Sequence, residues 1–382
     1  MKINILGGGP SGLYFAILMK KQDPAHQITI LERDGPDDTF GWGIVFSGKT
    51  LAELRDNDEP SYLSILDACQ VWDNVEVVHR EQTITIRGNR FTGTSRLAFL
   101  NILQRRAAEL GTDICFRTNV ADADLERWLD CDLFVGADGA NSLVRRRFAE
   151  HFQPDVDIRR NRYIWLGTQR LFNGLTFLFR RSEAGVFVAH CYKFSPTHST
   201  FVVECAESTW ANARFDSMSD EDSCRYLERV FGPDLRGQPL LTNNFVRWLK
   251  FPIVRNRRWS HGHTVLLGDA LHTAHFSIGS GTKLALEDSI ALAACCASSR
   301  DVPTARAAFQ SARKPAVDEY QQAAEHSLLW FENLDEKFEL DPVPLAYQIM
   351  TRSGKIDDAQ LRRRDPAFAE LVEAWRNRVI HT

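Results

Sequence analysis

The sequence predicts a mixed α/β fold, and three observations along the chain support this prediction. Short apolar runs alternate with helical patterns at residues 2–32 and return at residues 264–296. Between these stretches, residues 160–206 carry β-branched and aromatic runs separated by Gly, Ser, Pro and Asn, which is typical of antiparallel strands. From residue 301 onward the pattern is helical and increasingly charged. We therefore expect two strand-and-helix stretches around an inserted antiparallel sheet, followed by a helical C-terminal region.

Length and composition limit the partners that the chain can have. A chain of 382 residues allows two or three structural units, and its formal net charge of -4 leaves no large basic field. We therefore expect no nucleic-acid partner. The eight cysteines include no Cys-x-x-Cys pair, so we expect reduced thiols of a cytoplasmic protein and no metal site. No apolar run approaches about 18 residues and the first residues already resemble a strand, so we expect no membrane span and no leader segment.

The first stretch has the pattern of a βαβ unit. Residues 2–6 (KINIL) and 27–32 (QITILE) are apolar runs of strand length, and residues 11–21 between them have helical character. The turn from the first strand into the helix is rich in glycine. This arrangement predicts a Rossmann-like unit that binds a dinucleotide.

Residues 7–12 (GGGPSG) form a G-x-G-x-x-G motif in that turn. Gly7 permits the tight turn, Gly9 lets a pyrophosphate approach the backbone, and Gly12 lets the helix pack closely on the strand. Glu32, at the end of the second strand, would accept hydrogen bonds from ribose hydroxyls. The alternative is a glycine-rich turn with a purely structural role. The motif alone does not distinguish FAD from NAD.

Two aspartates after later strands are candidates for further polar contacts. Asp138 stands in an Asp-Gly turn after a strand predicted at residues 132–136, and Asp269 stands in a Gly-Asp turn after a strand predicted at residues 264–267. A carboxylate at the second position can accept hydrogen bonds from a polyol chain. The alternative interpretation is a plain turn or a helix-capping aspartate.

The order of these motifs resembles that of the group A flavoprotein monooxygenases, and the resemblance covers most of the chain. It implies FAD as the cofactor, with the first motif on the ADP part, the Asp-Gly motif serving both FAD and NAD(P)H, and the Gly-Asp motif on the ribityl chain. Arg96, at the start of a helix predicted for residues 94–111, matches a family arginine that contacts FAD. The implied FAD-binding residues are Gly7, Gly9, Pro10, Ser11, Gly12, Glu32, Arg33, Gly43, Arg96, Asp138, Asp269, Gly279, Ser280, Gly281 and Thr282.

Residues 23–47, 163–168 and 272–293 carry a narrower resemblance. They are similar to the salicylyl-CoA 5-hydroxylases and to the monooxygenase half of 2-aminobenzoyl-CoA monooxygenase/reductase, and more distantly to a tryptophan hydroxylase branch of violacein biosynthesis. The chain has His-Phe-Ser at residues 275–277 where the general group A pattern has Pro, a change that this subgroup shares. The reductase half has no counterpart in these 382 residues, so ring reduction is not expected.

The resemblance predicts the reaction. Because the chain has one dinucleotide fingerprint, NAD(P)H is expected to be a transient co-substrate that reduces FAD and leaves. Dioxygen would then add to the flavin to form a C4a-hydroperoxide, which hydroxylates the ring. The run Gly279-Ser280-Gly281 precedes a long helix predicted for residues 282–296, so its amides and the helix dipole can face negative charge at flavin N1 and O2. A simple helix-entry loop is the alternative.

Electrophilic oxygen transfer requires a ring made electron-rich by a hydroxyl or amino group, and a positioned polar side chain could hold or deprotonate that group. The candidates are His275, beside the flavin loop, His190 and Tyr192, which alternation places on one strand face, and Gln169, which shares a face with Tyr163. A hydrogen-bonded structural role is the alternative for each histidine.

The expected substrate is an aryl-CoA thioester such as salicylyl-CoA, hydroxylated at position 5. Two basic clusters could bind the phosphates of coenzyme A, at residues 159–162 and 255–258, although solvated surface is the alternative for both. A free or carrier-bound aromatic or indole remains an open alternative substrate. A flavoprotein with a structural nucleotide or an NAD-dependent dehydrogenase is a further alternative. A homodimer is possible.

The sequence also predicts how the chain divides into domains. Residues 1–50, 93–158 and 260–300 are expected to form a discontinuous FAD-binding domain, and residues 51–92 and 159–259 a substrate-binding domain. Residues 301–382 are expected to form the helical C-terminal region.

Overall fold

The computed structural model describes residues 1–243, 247–279 and 281–380 of the chain. Its strands are, in chain order, β1 (Lys2–Leu6), β2 (Gln27–Leu31), β3 (Gly43–Phe46), β4 (Gln70–Trp72), β5 (Val75–His79), β6 (Gln82–Ile86), β7 (Phe91–Ser95), β8 (Asp113–Cys115), β9 (Leu133–Gly136), β10 (Pro154–Thr168), β11 (Leu175–Ser182), β12 (Gly185–Lys193), β13 (Ser199–Cys205), β14 (Leu240–Leu241), β15 (Leu249–Asn256), β16 (Ser260–His261) and β17 (Thr264–Leu266).

The α-helices are, in the same order, α1 (Pro10–Gln22), α2 (Gly48–Asn57), α3 (Glu59–Asp67), α4 (Arg96–Glu109), α5 (Leu143–Arg147), α6 (Ala149–Phe152), α7 (Glu207–Asn212), α8 (Asp220–Val230), α9 (Gly232–Leu235), α10 (Gly281–Ser298), α11 (Val302–Glu332), α12 (Leu334–Phe338), α13 (Pro342–Thr351), α14 (Asp358–Arg364) and α15 (Pro366–Ile380). Short 3₁₀ helices occur at Asp122–Trp128, Gly268–Ala270 and Phe276–Ile278.

A six-stranded sheet forms the first layer, in the order β16-β17-β9-β1-β2-β8. Every pairing in it is parallel except that of β16 with β17. The strand order reverses between β1 and β9, and in open parallel sheets ligands bind outside the carboxyl ends of the strands at such a point. Helix α1 packs against both α4 and α10.

The second sheet has the order β14-β10-β13-β12-β11-β5-β6, with β15 also paired to β10. Alternation along its strands separates two apolar faces. One face packs Phe187 and Phe201 against α8 and its surroundings, where Leu227 and Phe231 are buried. The other face packs against the C-terminal helices, including α11 and α13. A small third sheet has the order β3-β7-β4.

The mixed α/β class, the inserted antiparallel strands and the helical C-terminus are confirmed. Strands β1, β12 and β13 match the predicted runs. Ser95 caps α4 and accepts a hydrogen bond from Ala98 N at 3.3 Å. Strand β10 begins at Pro154, before the predicted run, because its first half pairs with the distant strand β15. The strands between residues 43 and 95 were not predicted. No helix within the described ranges is long and apolar enough to cross a membrane.

Candidate functional site

The glycine motif lies where β1, β9 and β17 end side by side. A Cβ atom on Gly7 would come within 2.2 Å of the Ala137 carbonyl oxygen, and Gly7 has a φ of +110°. A Cβ atom on Gly12 would come within 2.2 Å of the Gly7 carbonyl oxygen. A Cβ atom on Gly9 would meet nothing within 4 Å. Gly7 and Gly12 are therefore required by the packing of the protein itself, whereas Gly9 faces open space in front of α1.

Glu32 and its neighbours organise the same loop. Glu32 Oε2 accepts a hydrogen bond from Gly8 N at 2.6 Å, and Oε1 accepts one from Asp34 N at 2.9 Å. Arg33 is exposed, with Nε 3.3 Å from a carboxylate oxygen of Asp34. The carboxylate of Glu32 thus holds the turn in place and lies at the end of β2.

Residues of the first turn of α1 connect the motif to α10. Pro10 is the first residue of α1, where its missing N–H is no loss. Ser11 is buried, and its carbonyl oxygen accepts a hydrogen bond from Ser289 Oγ at 2.9 Å. A Cβ atom on Gly268 would come within 2.5 Å of Ser11 Oγ. The glycine motif, the Gly-Asp motif and α10 therefore meet at Ser11.

Asp138 caps a helix within its own loop. Its carboxylate accepts hydrogen bonds from Ser142 Oγ at 2.6 Å, Leu143 N at 2.6 Å and Val144 N at 3.2 Å. Burial raises the pKa of this carboxyl, and the three donors oppose that shift. Arg145 Nη1 donates to the Ala270 carbonyl oxygen at 2.9 Å, which ties the loop to the Gly-Asp turn. Each of these three hydrogen bonds to the Asp138 carboxylate comes from its own loop.

Asp269 and Arg96 face one another across a cleft. The Asp269 side chain is exposed, but the walls of the cleft surround it, and this enclosure raises its pKa while Arg96 and His272 oppose the rise. Burial lowers the pKa of Arg96, and Asp269 and Tyr192 oppose that shift. The backbone N–H of Arg96 donates to the Trp42 carbonyl oxygen at 2.9 Å, which fixes the start of α4 beside β3. The two opposite charges therefore influence one another.

The entry to α10 is open. Gly279 has a φ of +62°, and a Cβ atom on Gly279 or Gly281 would meet nothing within 4 Å. Thr282 is half-buried in the first turn of α10, and Ser280 lies outside the described residues. Gly43 is packed more tightly, because a Cβ atom there would come within 2.6 Å of Phe194 Cβ. The backbone at Gly279 and Gly281 is therefore unobstructed at the start of α10.

Aromatic side chains line the sheet face beside the cleft. The indole of Trp42 lies 2.7 Å from where a Cβ atom on Gly167 would stand, and the indole of Trp165 lies equally close to such an atom on Gly41. Two tryptophans therefore interlock over two glycines, and no larger residue would fit at either position. Across the face, the rings of Tyr163 and Phe276 have centroids 4.9 Å apart. This wall is aromatic, as a site for an aromatic ring would need to be.

His275 belongs to a chain of buried hydrogen bonds. Its Nδ1 lies 2.8 Å from Ser277 Oγ, and Ser277 Oγ lies 2.7 Å from Ser327 Oγ of α11. Arg352 Nε donates to Ser327 Oγ at 2.9 Å. Burial lowers the pKa of His275 to about 4, even though Glu204 opposes the shift. His275 is therefore neutral at ordinary pH and held by its neighbours.

The other catalytic candidates fall in different surroundings. His190 is 5% exposed, and its ring packs edge-on against Phe276 with centroids 5.4 Å apart. Tyr192 Oη donates to the Gly43 carbonyl oxygen at 2.8 Å, and burial raises its pKa. Gln169 is exposed one residue beyond β10 and makes no hydrogen bond to any other described residue. The structure thus brings His190, His275 and Tyr192 to the aromatic wall and leaves Gln169 at its edge.

The two basic clusters differ in how many of their arginines form ion pairs with carboxylates. Arg159 pairs with Glu332 and Asp157 at 2.6 and 2.5 Å, and Arg162 pairs with Glu207 at 2.9 Å. In the second cluster, Arg255 pairs with Glu325 at 2.8 Å, and residues 257–258 are exposed. In the first cluster Arg159 and Arg162 are therefore matched by carboxylates, whereas Arg160 is exposed.

Two further residues at the site were not singled out from the sequence. Glu204 is 1% exposed on the same face of the sheet as His190, and Nε2 of His190 lies 3.4 Å from Glu204 Oε2. Arg352, beyond the end of α13, donates to the carbonyl oxygen of Ser277 at 2.5 Å. Glu204 could have been noticed as the one charge in the apolar run STFVVEC at residues 199–205. Arg352 carries no comparable pattern.

Comparisons with known proteins agree with this geometry. Residues 1–301 match the family described as FAD binding domain. The chain is 40% identical to salicyloyl-CoA 5-hydroxylase from Streptomyces over 98% of its own length and 74% of that protein. It is 37% identical to 3-hydroxy-4-methyl-anthranilyl-[aryl-carrier protein] 5-monooxygenase from Streptosporangium sibiricum, over 93% of this chain and 95% of that protein. It is 35% identical to protodeoxyviolaceinate monooxygenase from Chromobacterium violaceum, over 89% and 91% of the two chains.

Solved structures show the same fold. The tetrameric form of 2-methyl-3-hydroxypyridine-5-carboxylic acid oxygenase is similar with a TM-score of 0.71 and 17% identity, over 94% of this chain and 95% of that chain. At this level of identity the likeness concerns the fold alone.

Proposed function

Because the chain belongs to the FAD binding domain family and is an FAD-dependent aromatic monooxygenase, we propose that the ring it hydroxylates is presented as a coenzyme A thioester such as salicylyl-CoA. FAD is the cofactor, and NAD(P)H is the co-substrate that reduces it. The observation that carries the proposal is the similarity, over nearly the whole chain, to two enzymes whose names specify aryl thioesters.

The residues of the cleft fit FAD. Open space in front of Gly9 and at Gly281 leaves room for groups that contact backbone at two helix N-termini, where negative charge is favoured. Asp269 presents an exposed carboxylate that can accept hydrogen bonds from the ribityl hydroxyls, with Arg96 opposite. When bound and reduced, FAD supplies the activation of dioxygen that delivers one oxygen atom to the ring.

The remaining FAD contacts follow from the positions of the motif residues. Gly7, Gly9, Pro10, Ser11, Gly12, Glu32 and Arg33 would hold the ADP part, with Asp138 shaping the adjoining loop. Gly43 and Arg96 would flank the ring system, and Gly279, Ser280, Gly281 and Thr282 would supply the α10 N-terminus beside its pyrimidine edge. We retain the predicted domain division as part of this proposal, with residues 1–50, 93–158 and 260–300 forming the cofactor domain.

The protein's own contribution is to position the ring, exclude water and move a proton. The interlocked indoles of Trp42 and Trp165 offer apolar surface for the ring and limit access of water. His190 reaches the same wall and is the candidate for holding or removing the proton of a ring hydroxyl, since it is nearly buried yet bears a free lone pair when neutral.

Turnover assays with matched thioesters and acids test the proposal. The FAD-loaded protein would be given NADH or NADPH with salicylyl-CoA, 2-aminobenzoyl-CoA, salicyl-pantetheine or the free acids, and hydroxylated product and hydrogen peroxide would be quantified together. We expect product from a thioester and none from the free acid. Equal turnover of the pantetheine thioester would indicate that the nucleotide is not needed, as for a carrier-bound ring.

Two outcomes would contradict the thioester. One is peroxide without product from every thioester. The other is efficient hydroxylation of a free indole, which the similarity to protodeoxyviolaceinate monooxygenase favours as the second candidate substrate. Either result would leave the flavin-dependent hydroxylase chemistry in place.

A further inference from the structure

Glu204 is a carboxylate inside the protein whose surroundings call for an explanation. It lies in β13 with 1% of its surface exposed, among the apolar residues of the central sheet. A buried carboxylate costs several kcal/mol unless hydrogen bonds or charges compensate for the lost water. The sequence STFVVEC has no other charged residue, so packing alone does not require a carboxylate here.

One oxygen of Glu204 is held rigidly and the other faces a histidine. Oε1 accepts a hydrogen bond from Asn161 Nδ2 at 2.8 Å, and the same amide group donates to the Phe331 carbonyl oxygen at 3.0 Å. Oε2 lies 3.4 Å from His190 Nε2, too poorly aligned for a hydrogen bond, and neither atom has another hydrogen-bond partner among the described residues. A contact of this kind often shortens when substrate binds.

The polar groups around Glu204 favour its ionised form. Burial raises its pKa, but the polar N–H groups of His190 and Asn161 that face the carboxylate oppose this, and the pKa stays below its usual range. Burial lowers the pKa of His190, while Glu204 opposes that shift. Arg352 is a positive charge near Glu204 and both histidines, and Arg159 is a second positive charge near His275. Tyr163, directly opposite Glu204 on β10, has its pKa raised to about 12 by burial.

An ionised Glu204 determines which nitrogen of His190 carries the proton. A neutral imidazole has one N–H donor and one acceptor nitrogen, and the partner of one nitrogen sets the state of the other. Nε2 faces the carboxylate, so Nε2 carries the hydrogen and Nδ1 keeps its lone pair. This is the arrangement by which a carboxylate orients a histidine that acts as a base.

We propose that Glu204 is a positioning residue for ring hydroxylation, acting through His190. In this step the O–H bond of the ring hydroxyl breaks and an N–H bond forms at Nδ1 of His190, which leaves an electron-rich phenolate. Glu204 stabilises the resulting imidazolium. After oxygen transfer, the hydroxylated ring carbon releases its hydrogen as a proton to water, the phenolate forms again, and His190 returns its proton to that oxygen. The inference rests on the proposed aromatic hydroxylation but does not require that the substrate be a thioester.

Substitution of Glu204 tests the role through pH dependence. In Glu204→Gln the amide keeps the contact to Asn161 but donates toward Nε2, so His190 is expected to take the opposite tautomer. We expect kcat/KM to fall by roughly 10²-fold at neutral pH, and the pKa of the bound phenol to rise. KM and FAD content should stay within about twofold. Glu204→Asp should recover part of the loss, and Glu207→Gln, which changes a half-buried ion-paired carboxylate, should match the unmodified protein.

A second measurement does not depend on turnover. Nuclear magnetic resonance of the FAD-loaded protein labelled with ¹⁵N-histidine reports the tautomer of each neutral imidazole, with His190→Asn used to assign its signal. We expect the Nε2–H form of His190 in the unmodified protein and in Glu204→Asp, and the Nδ1–H form in Glu204→Gln.

The results separate this inference from the proposed function. An unchanged tautomer in Glu204→Gln, an unchanged pH profile, or equal losses in the Gln and Asp variants would overturn the role of Glu204. Turnover only of rings without an ionisable hydroxyl would also overturn it. Failure of the thioester alone would contradict the proposed substrate, while the same comparison on the aromatic compound that is hydroxylated would still decide the role of Glu204.

Discussion

At the scale of single residues, two residues of the same type in the motifs can have different roles. Gly12 has no space for a side chain because the Gly7 carbonyl oxygen occupies it, whereas Gly9 faces open space. The carboxylate of Asp138 accepts three hydrogen bonds within its own loop, whereas the carboxylate of Asp269 is exposed in the cleft. In each pair, one residue maintains the fold and the other is available to a ligand.

The two glycines should therefore respond differently to alanine. In Gly9→Ala the new methyl group meets no protein atom, so we expect the apoprotein to lose less than about 1 kcal/mol of stability. FAD affinity should fall at least tenfold, about 1.4 kcal/mol, because the methyl group fills the space that a pyrophosphate needs. In Gly12→Ala the overlap with backbone should cost about 2 kcal/mol or more of unfolding free energy. Urea unfolding of the apoprotein and FAD titration would distinguish the two, and equal unfolding curves would contradict the assignment.

At the scale of elements, the C-terminal helices reach into the site. Arg352 follows α13 and donates hydrogen bonds to Ser327 of α11 and to Ser277 beside the entry of α10. Its guanidinium also lies over the rings of Phe177 and Phe331, with distances to the centroids of 5.3 and 5.4 Å. One side chain therefore fastens two helices and the large sheet to the loop that carries His275.

Removal of the Arg352 side chain should destabilise the loop that carries His275. In Arg352→Ala, Ser277 and Ser327 lose a buried donor, so we expect the unfolding free energy to fall by roughly 2–4 kcal/mol. FAD should also bind more weakly because the entry of α10 is less well held. Arg363→Ala, in the exposed arginine run of α14, is the matched control and should stay within about 0.5 kcal/mol. Similar losses in the two variants, measured by chemical denaturation, would rule out the specific role of Arg352.

At the scale of the whole molecule, the site lies where the two large sheets and the C-terminal helices meet, and burial there acts on titratable groups. His79, His190 and His275 are buried, and burial lowers the pKa of each. A histidine that is neutral in the folded state but protonates after unfolding lowers the free energy of unfolding in acid. The fold should therefore lose stability as the pH falls.

The contribution of His275 can be stated with its sign. Its pKa is 6.5 when unfolded and about 4 when folded, so its share of the stability is complete above pH 6.5 and is lost as the pH falls toward 4. The loss is at most about 3 kcal/mol. Chemical unfolding at pH 7, 5.5 and 4.5 should show a shallower dependence in His275→Asn than in the unmodified protein. His198→Asn, in the half-buried turn after β12, is the control, and a slope in His275→Asn as steep as in this control would refute the assignment.

The local pattern of the sequence determined the elements that depend on near neighbours. The βαβ start and the alternation of β12 and β13 involve contacts within a few residues, so period and turn chemistry were sufficient to predict them. Motif order was sufficient to predict the family, because each motif sits at the end of a strand in the same sheet.

Tertiary structure alone decided which side chains meet. The first half of β10 is a strand because β15, about 100 residues later, supplies its hydrogen bonds. Asp138 turned inward because Ser142 and the α5 amides satisfy its carboxylate locally. His190 became part of an acid–base pair because β12 and β13 bring Glu204 beside it, and His275 is tied through Ser277 and Ser327 to Arg352. The contacts of Glu204 with His190 and of His275 with Arg352 join residues far apart in the chain. The protonation state of each histidine also depends on its burial, which is determined by all the elements that pack around it.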